Sequence, residues 1–227
     1  FFNSIIQGIT EFLPISSSGH LFILNHLFAW DKISLALIVS AHLGTLVAVV
    51  YYFWKDVKKF FFYGALEIFK KKRSINHKLF LSLFYSSVPI IIFGFFFKFY
   101  NLNNLLHPIT ISFFAILFSL ILFISDRNKK TKKLNEITFK DSIIIGFFQV
   151  FSLIPGSSRA GVCISAARFL GFNRICATKY SMYLSIPTIL GASFLIILDI
   201  LNENSLILWI EVISIFFISF LFAFFTI

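Results

Sequence analysis

Of ten acidic residues in the 227-residue chain, most fall in loops and Glu11 does not. It lies three residues before Pro14 in an apolar stretch, with Gln7 one helical turn earlier. The i, i+4 spacing places both side chains on one helix face. Beyond Pro14 follow Ser16, Ser17, Ser18 and His20; a second cluster, Pro155, Gly156, Ser157, Ser158 and Arg159, repeats the pattern later in the chain. If the two clusters meet, they gather a carboxylate, an amide, several hydroxyls, an imidazole and a guanidinium around one point. Each cluster precedes a helix, whose free N–H groups and positive dipole end suit an anion. Arg159 adds a planar donor fork matched to phosphate. The expected ligand is therefore a phosphorylated anion, with Ser16, Ser18, Gly156, Ser157, Ser158 and Arg159 as its binding set. Glu11 repels such an anion unless it holds a divalent cation such as Mg²⁺, which bridges carboxylate and phosphate oxygens, Gln7 adding a neutral oxygen. A hydroxyl such as that of Ser17 is then placed to attack phosphorus, with His20 or Glu11 taking its proton. Attack by metal-bound water is the variant.

The elements that position these groups are membrane elements. The chain is 58% hydrophobic, 13% charged and has a mean hydropathy of +0.89. Soluble domains are about 45–50% apolar and about 25% charged. A soluble enzyme, a disordered chain and a disulfide-stapled module are excluded. Five segments, about 33–54, 79–99, 108–125, 175–200 and 206–226, approach the roughly 20 apolar residues needed to cross a bilayer. Two basic stretches, 55–78 and 126–140, carry fourteen of the 20 Lys and Arg residues and are separated by two spans. The positive-inside rule makes both cytoplasmic and puts the loop 101–107 outside. The net charge of +10 thus orients the chain and does not indicate nucleic acid.

Residues 1–30 and 141–172 are apolar but broken by the two Pro-Ser clusters. Arms of about 11–13 residues reach about 16–20 Å, near the middle of the hydrocarbon. The expectation is two re-entrant hairpins whose exposed tip backbone is sheltered by protein. At a fixed offset Pro14 matches Pro155, Ser16 matches Ser157 and Ser17 matches Ser158. With an odd number of crossings between them, the hairpins enter from opposite faces, as in inverted repeats whose site lies where they meet. The fold expected is an all-α integral membrane protein in one domain, 1–227, with a first repeat over 1–125 and a second over 141–227. The second shows two spans where the first has three, so the chain is expected to be one span short of a complete six-span protein.

Blander readings hold for most other polar residues. Serine and glycine in membrane helices ordinarily serve close packing, and a lone histidine such as His26 or His42 is ordinarily a hydrogen-bonded buried residue. Arg168, Arg174, Lys98 and Lys179 are expected to snorkel to headgroups, Glu211 to lie at an interface, and Cys163 and Cys176 to pack as apolar side chains.

QGITEFLPISSSGH at 7–20 and IPGSSRAGVCISAARFLGFNR at 154–174 resemble the two signature motifs of the undecaprenyl-diphosphate phosphatase (bacitracin-resistance) family. YSMYLSIPTILGA at 180–192 and HLGTLVAVVYYFW at 42–54 are also similar to it, so the resemblance covers essentially the whole chain. It implies a multi-pass phosphatase of the bacterial cytoplasmic (inner) membrane, removing the terminal phosphate of undecaprenyl diphosphate. The monophosphate carrier is thereby recycled for peptidoglycan synthesis, which gives bacitracin resistance. The resemblance further implies dependence on Mg²⁺ or another divalent cation such as Ca²⁺, and a site open to the outer face. The family's Glu/Gln-x-x-x-Glu motif falls on Gln7 and Glu11 as metal ligands, its hydroxyl-rich turn on Ser16, Ser17 and Ser18, its histidine on His20 and its motif arginine on Arg159. Catalytic roles thereby fall to Glu11, Ser17, His20 and Arg159. The chain departs from the pattern in Gln7 for Glu, which removes a charge at the metal, in Ala160 where Ser is common, and in short termini. The implied partners are a polyprenyl diphosphate lipid and the bilayer, without nucleic acid and with room for a homodimer. The competing reading is an inverted-repeat transporter or flippase of a polyprenyl phosphate lipid.

Overall fold

Apolar runs of helical length dominate the sequence, and the computed structural model resolves them into helices around a small-residue centre. It describes residues 1–28, 34–69, 74–99, 107–127, 129–200 and 206–227. The expectations placed on Lys70, Lys71, Lys72, Arg73 and the loop 101–106 lie outside the described residues, as does the side chain of Lys98. The helices run α1 (Phe2–Thr10), α2 (Ser17–Leu27), α3 (Leu35–Tyr52), α4 (Trp54–Val57), α5 (Gly64–Phe69), α6 (Ile75–Phe99), α7 (Pro108–Asp126), α8 (Phe139–Val150), α9 (Arg159–Phe169), α10 (Arg174–Ile200) and α11 (Leu206–Thr226). Among the described residues there is no strand, only an isolated bridge between Lys132 and Phe172.

Ile75–Phe97, Pro108–Asp126 and Trp209–Thr226 are each long and apolar enough to cross a membrane. Ala36–Tyr52 with Trp54–Ile68 makes a fourth candidate, bent by 82°. The bend leads into a wider π-helical turn, Lys58–Tyr63, with neither proline nor glycine at Phe53 to announce it. α10 has 27 residues, the last six without described side chains, so the span expected over 175–200 lies partly outside the described residues. Its Tyr180, Leu184 and Ser185 are buried by other helices, while Leu190 and Phe194 are exposed. On α7, by contrast, Phe113, Ile116, Leu120 and Phe123 are each more than half exposed along one face. An apolar stripe turned outward is stable against lipid and not against water. The protein is a multi-pass membrane protein.

At the centre lies α9, in which every residue from Ala160 to Arg168 is buried. It packs against α7, α8 and α10, while α3 packs on α10 and α11 and α1 on α11. Small side chains allow these approaches: a Cβ on Gly44 would stand 2.3 Å from the Phe216 carbonyl oxygen of α11. Arg168 does not snorkel. It is buried and pairs with Asp126 Oδ1 at 2.8 Å, while exposed Arg174 takes Oδ2 at 2.6 Å. A guanidinium enclosed by α7 and α9 cannot reach headgroups and is neutralised where it stands.

Two turns hold the expected tips. After α1 the chain turns through 11–16, and Ser16 begins α2, its hydroxyl accepting the Gly19 N–H at 3.2 Å. After α8 a short 3₁₀ turn, Phe151–Leu153, leads to Ser158, which begins α9 and accepts the Gly161 N–H at 3.2 Å. Both are serine N-caps by hydrogen bond, Ser16 with the usual extended backbone and Ser158 with φ +56°. By cap position Ser16 therefore corresponds to Ser158, not to Ser157 as the fixed offset predicts. The extra residue is taken up at Gly156, with φ +99°. A Cβ there would lie 2.4 Å from the Ile111 carbonyl oxygen of α7; only glycine fits both the backbone and the gap.

Candidate active site

The first turn and the second meet. A Cβ on Gly161 would lie 3.5 Å from the Pro14 carbonyl oxygen, so the starts of α2 and α9 share one place. Glu11, the residue that closes α1, is buried there and donates its backbone N–H to the Gln7 carbonyl at 3.0 Å. Its carboxylate is the hub. Arg159 Nη2 donates to Oε1 at 2.8 Å, Gln7 Nε2 donates to Oε2 at 2.5 Å, and the Ser17 hydroxyl donates to Oε2 at 3.4 Å. His42 of α3 brings Nδ1 to 3.3 Å from the same Oε2 and 2.9 Å from Gln7 Nε2.

A cavity of about 320 Å³ opens beside this hub. Glu11, Ser16, Ser17, Ser18, Ser158 and Arg159 line its polar end. Ile15, Ile38, Ile90 and Ile189 line the rest, so a charged headgroup and an apolar chain each have a matching wall. Among the described residues lining the cavity Arg159 is the one guanidinium or ammonium group, and half its fork is spoken for by Glu11. Its other terminal nitrogen, Nη1, is buried without a hydrogen-bond partner. A buried, unpaired guanidinium N–H is costly and suits an oxygen arriving with a ligand.

The expected site residues separate into two groups. Gln7, Ser17 and Arg159 each bond the Glu11 carboxylate, and Ser16, Ser18 and Ser158 stand on the cavity wall beside it. Gly156, Ser157 and His20 are not part of that wall. Gly156 is pressed against α7. Ser157 is buried, its hydroxyl turned to the carbonyls of Phe151 and Ile154, both at 2.8 Å; it closes the turn. His20 is tied through Nδ1 to the Ser16 carbonyl at 2.7 Å, one helical turn back, which leaves Nε2 as its free nitrogen. His42, Thr188 and Ser193 line the cavity without having been expected there. The signal for His42 was present, since an ionisable group within a membrane span is a candidate by default.

A divalent cation at Glu11 can be tested against the donors. Among the described residues no three His, Cys, Asp or Glu side chains cluster. Hard cations such as Mg²⁺ are commonly held by one or two carboxylates, with phosphate oxygens and water completing the shell. Glu11 Oε2 and the Ser17 hydroxyl stand together as oxygen donors, while the Gln7 amide faces them with Nε2. With that amide turned by half a turn to present its oxygen, the set fits a cation shared with a phosphorylated ligand.

The chain is 39% identical to the undecaprenyl-diphosphatase of Alteromonas mediterranea over 207 residues, covering 91% of this chain and 78% of that protein. It is 40% identical to the undecaprenyl-diphosphatase of Pelagibacter ubique over 227 residues, covering 99% and 83%. The undecaprenyl-diphosphatase of Jannaschia is 39% identical over 193 residues, covering 84% and 72%. The family model described as bacitracin resistance protein BacA matches residues 1–227, and the chain belongs to that family.

Proposed function

We propose that this protein hydrolyses undecaprenyl diphosphate to undecaprenyl phosphate and inorganic phosphate, so that the lipid carrier returns to peptidoglycan synthesis. The observation that carries the reading is the Glu11–Arg159 pair beside Ser17, at the polar end of a cavity with apolar walls. Arg159 receives the terminal phosphoryl oxygens through Nη1 and holds the group near Ser17. The Ser17 oxygen attacks phosphorus as its proton passes to Glu11 Oε2, and the bond from phosphorus to the bridging oxygen breaks. Undecaprenyl phosphate leaves with that oxygen, to which Glu11 passes the proton. Water then gives a proton to the restored Glu11 carboxylate as it attacks phosphorus, and the phosphoserine bond breaks as Glu11 returns that proton to the Ser17 oxygen, freeing phosphate. Charge building on the equatorial oxygens is the main demand of such a reaction, and Arg159 with the Ser16–Ser18 and Ser158 hydroxyls meets it. A divalent cation, Mg²⁺ or Ca²⁺, belongs to the reading, with Glu11 and Gln7 as its protein ligands, and when bound it supplies further neutralisation of phosphate charge. His20 has a supporting place, through Nε2, at the same turn.

The proposal extends to topology. Residues 1–30 and 141–172 are re-entrant hairpins of an inverted repeat over 1–125 and 141–227, supported by the two serine-capped turns that meet near Pro14. Loops 55–78 and 126–140 face the cytoplasm and the site faces the outer side of the inner membrane, on the strength of their charge. A homodimer has room on the outward apolar faces of α6 and α7, and light scattering in detergent tests it. A carrier of polyprenyl phosphate is the less favoured reading, because transport gives no task to a hydroxyl bonded to a buried carboxylate. Phosphate release from undecaprenyl diphosphate in detergent, with and without Mg²⁺, is the test. The enzyme reading requires release that depends on Glu11 and Arg159; a folded full-length protein releasing none refutes it.

A further inference from the structure

His42 is half-buried on the hub side of α3 and yet has no task in the reaction as written. Its Nδ1 stands 3.3 Å from Glu11 Oε2 and 2.9 Å from Gln7 Nε2, and Gln7 Nε2 stands 2.5 Å from Glu11 Oε2. The Gln7 NH₂ group thus sits beside a carboxylate oxygen and an imidazole nitrogen from another helix, and in the His42 tautomer protonated at Nε2 that nitrogen is an acceptor. In that tautomer the NH₂ group occupies the place of a positive centre. A half-turn of the Gln7 amide exchanges its nitrogen for Oε1, whose position the side chain permits equally. Three acceptors then face one another, about as far apart as three ligands on one face of a metal octahedron. With bonds of about 2.0–2.1 Å that edge is about 2.9 Å. Without a cation the turned amide is repelled by its neighbours; with one it becomes a ligand. Glu11 Oε1 remains with Arg159 in either state, so the carboxylate links guanidinium and cation without being freed from either.

We propose that His42 is a protein ligand of the divalent cation, completing with Glu11 and Gln7 a face of one imidazole nitrogen, one carboxylate oxygen and one amide oxygen. This rests on the reading of Glu11 and Gln7 as cation ligands. It gives the site a chemical bias that oxygen donors alone lack, because imidazole favours borderline ions over Ca²⁺. It also assigns Gln7 a reversible role: its amide donates hydrogen bonds when the cation is absent and accepts the cation when it is present.

Mn²⁺ is the probe, added with inorganic phosphate to the full-length protein in detergent, and pulsed electron paramagnetic resonance reads any nitrogen bonded to it. Wild-type protein is expected to show coupling to a directly bound ¹⁴N. The coupling persists in His20→Asn and disappears in His42→Gln, with Mn²⁺ affinity lowered about tenfold or more, the range seen for altered metal shells. His42→Asn serves as the second variant if His42→Gln does not fold, and the wild-type spectrum needs neither. Bound Mn²⁺ without a coordinated nitrogen overturns the His42 assignment and leaves the Glu11–Gln7 site standing. Coupling that survives loss of His42 and vanishes with His20 overturns it in the same way. Wild-type protein that binds no Mn²⁺ with phosphate present overturns both the assignment and the cation reading beneath it.

Discussion

Glu11 and Arg159 are each tolerable in this interior only because of the other. Removing one partner of a buried pair leaves a charge without compensation, typically at about 3–5 kcal/mol. Arg159→Ala is therefore expected to abolish phosphate release and to lower thermal stability in detergent. Arg159→Ala combined with Glu11→Gln should recover much of the stability and none of the release, a separation readable from melting curves beside a phosphate assay. Neighbouring serines are expected to divide just as sharply. Ser17→Ala removes the proposed nucleophile from a half-buried cavity wall, so release is lost while stability stays within about 0.5 kcal/mol. Ser157→Ala strips a buried donor from two partly buried carbonyls, at about 1 kcal/mol, and is expected to lower the melting temperature more than it lowers release by the folded fraction. The Gln7–Glu11 face was legible in the sequence, because i, i+4 spacing constrains geometry before any tertiary contact exists. The choice between Ser157 and Ser158 was not. Adjacent hydroxyls look alike until the backbone decides which one caps a helix, and here a φ of +56° at Ser158 decides it. His42 carried a signal as an ionisable group within a span but not of its partner: a histidine in an apolar run reads the same whether it meets a carboxylate or merely a carbonyl.

Between elements, the important junction is the one where the loop before α9 leans on α7. Gly156→Ala places a methyl 2.4 Å from the Ile111 carbonyl oxygen in a backbone conformation that alanine resists. The backbone strain alone is of order 1–3 kcal/mol, and the clash adds to it. Relief requires the turn to back away from α7, carrying Ser158 and Arg159 with it. The expected result is a lower melting temperature together with weakened release, because a displacement of about 1 Å is enough to cost about a hundredfold in a positioned reaction. The broken segments and their Pro-Ser clusters were readable, since proline and glycine act locally. The 82° bend after α3 was not, because it lies at Phe53 and Trp54 and depends on what α3 packs against.

At the scale of the whole molecule, the orientation rests on charge. With Cys163 and Cys176 replaced, Lys58→Cys and Lys130→Cys are expected to react with an impermeant maleimide only after the cytoplasmic side is opened, whereas His107→Cys reacts in intact cells. The reverse pattern would invert the topology. The division of the cavity into a polar end and an isoleucine-lined remainder has a kinetic consequence as well. One product of the proposed reaction is at home in water and the other only in lipid, so substrate arrives and carrier departs sideways through the hydrocarbon while phosphate alone leaves by the aqueous side. Turnover should therefore follow the mole fraction of substrate within the micelle or bilayer and not its bulk molarity. Adding empty detergent at constant total substrate should slow the protein by dilution in two dimensions.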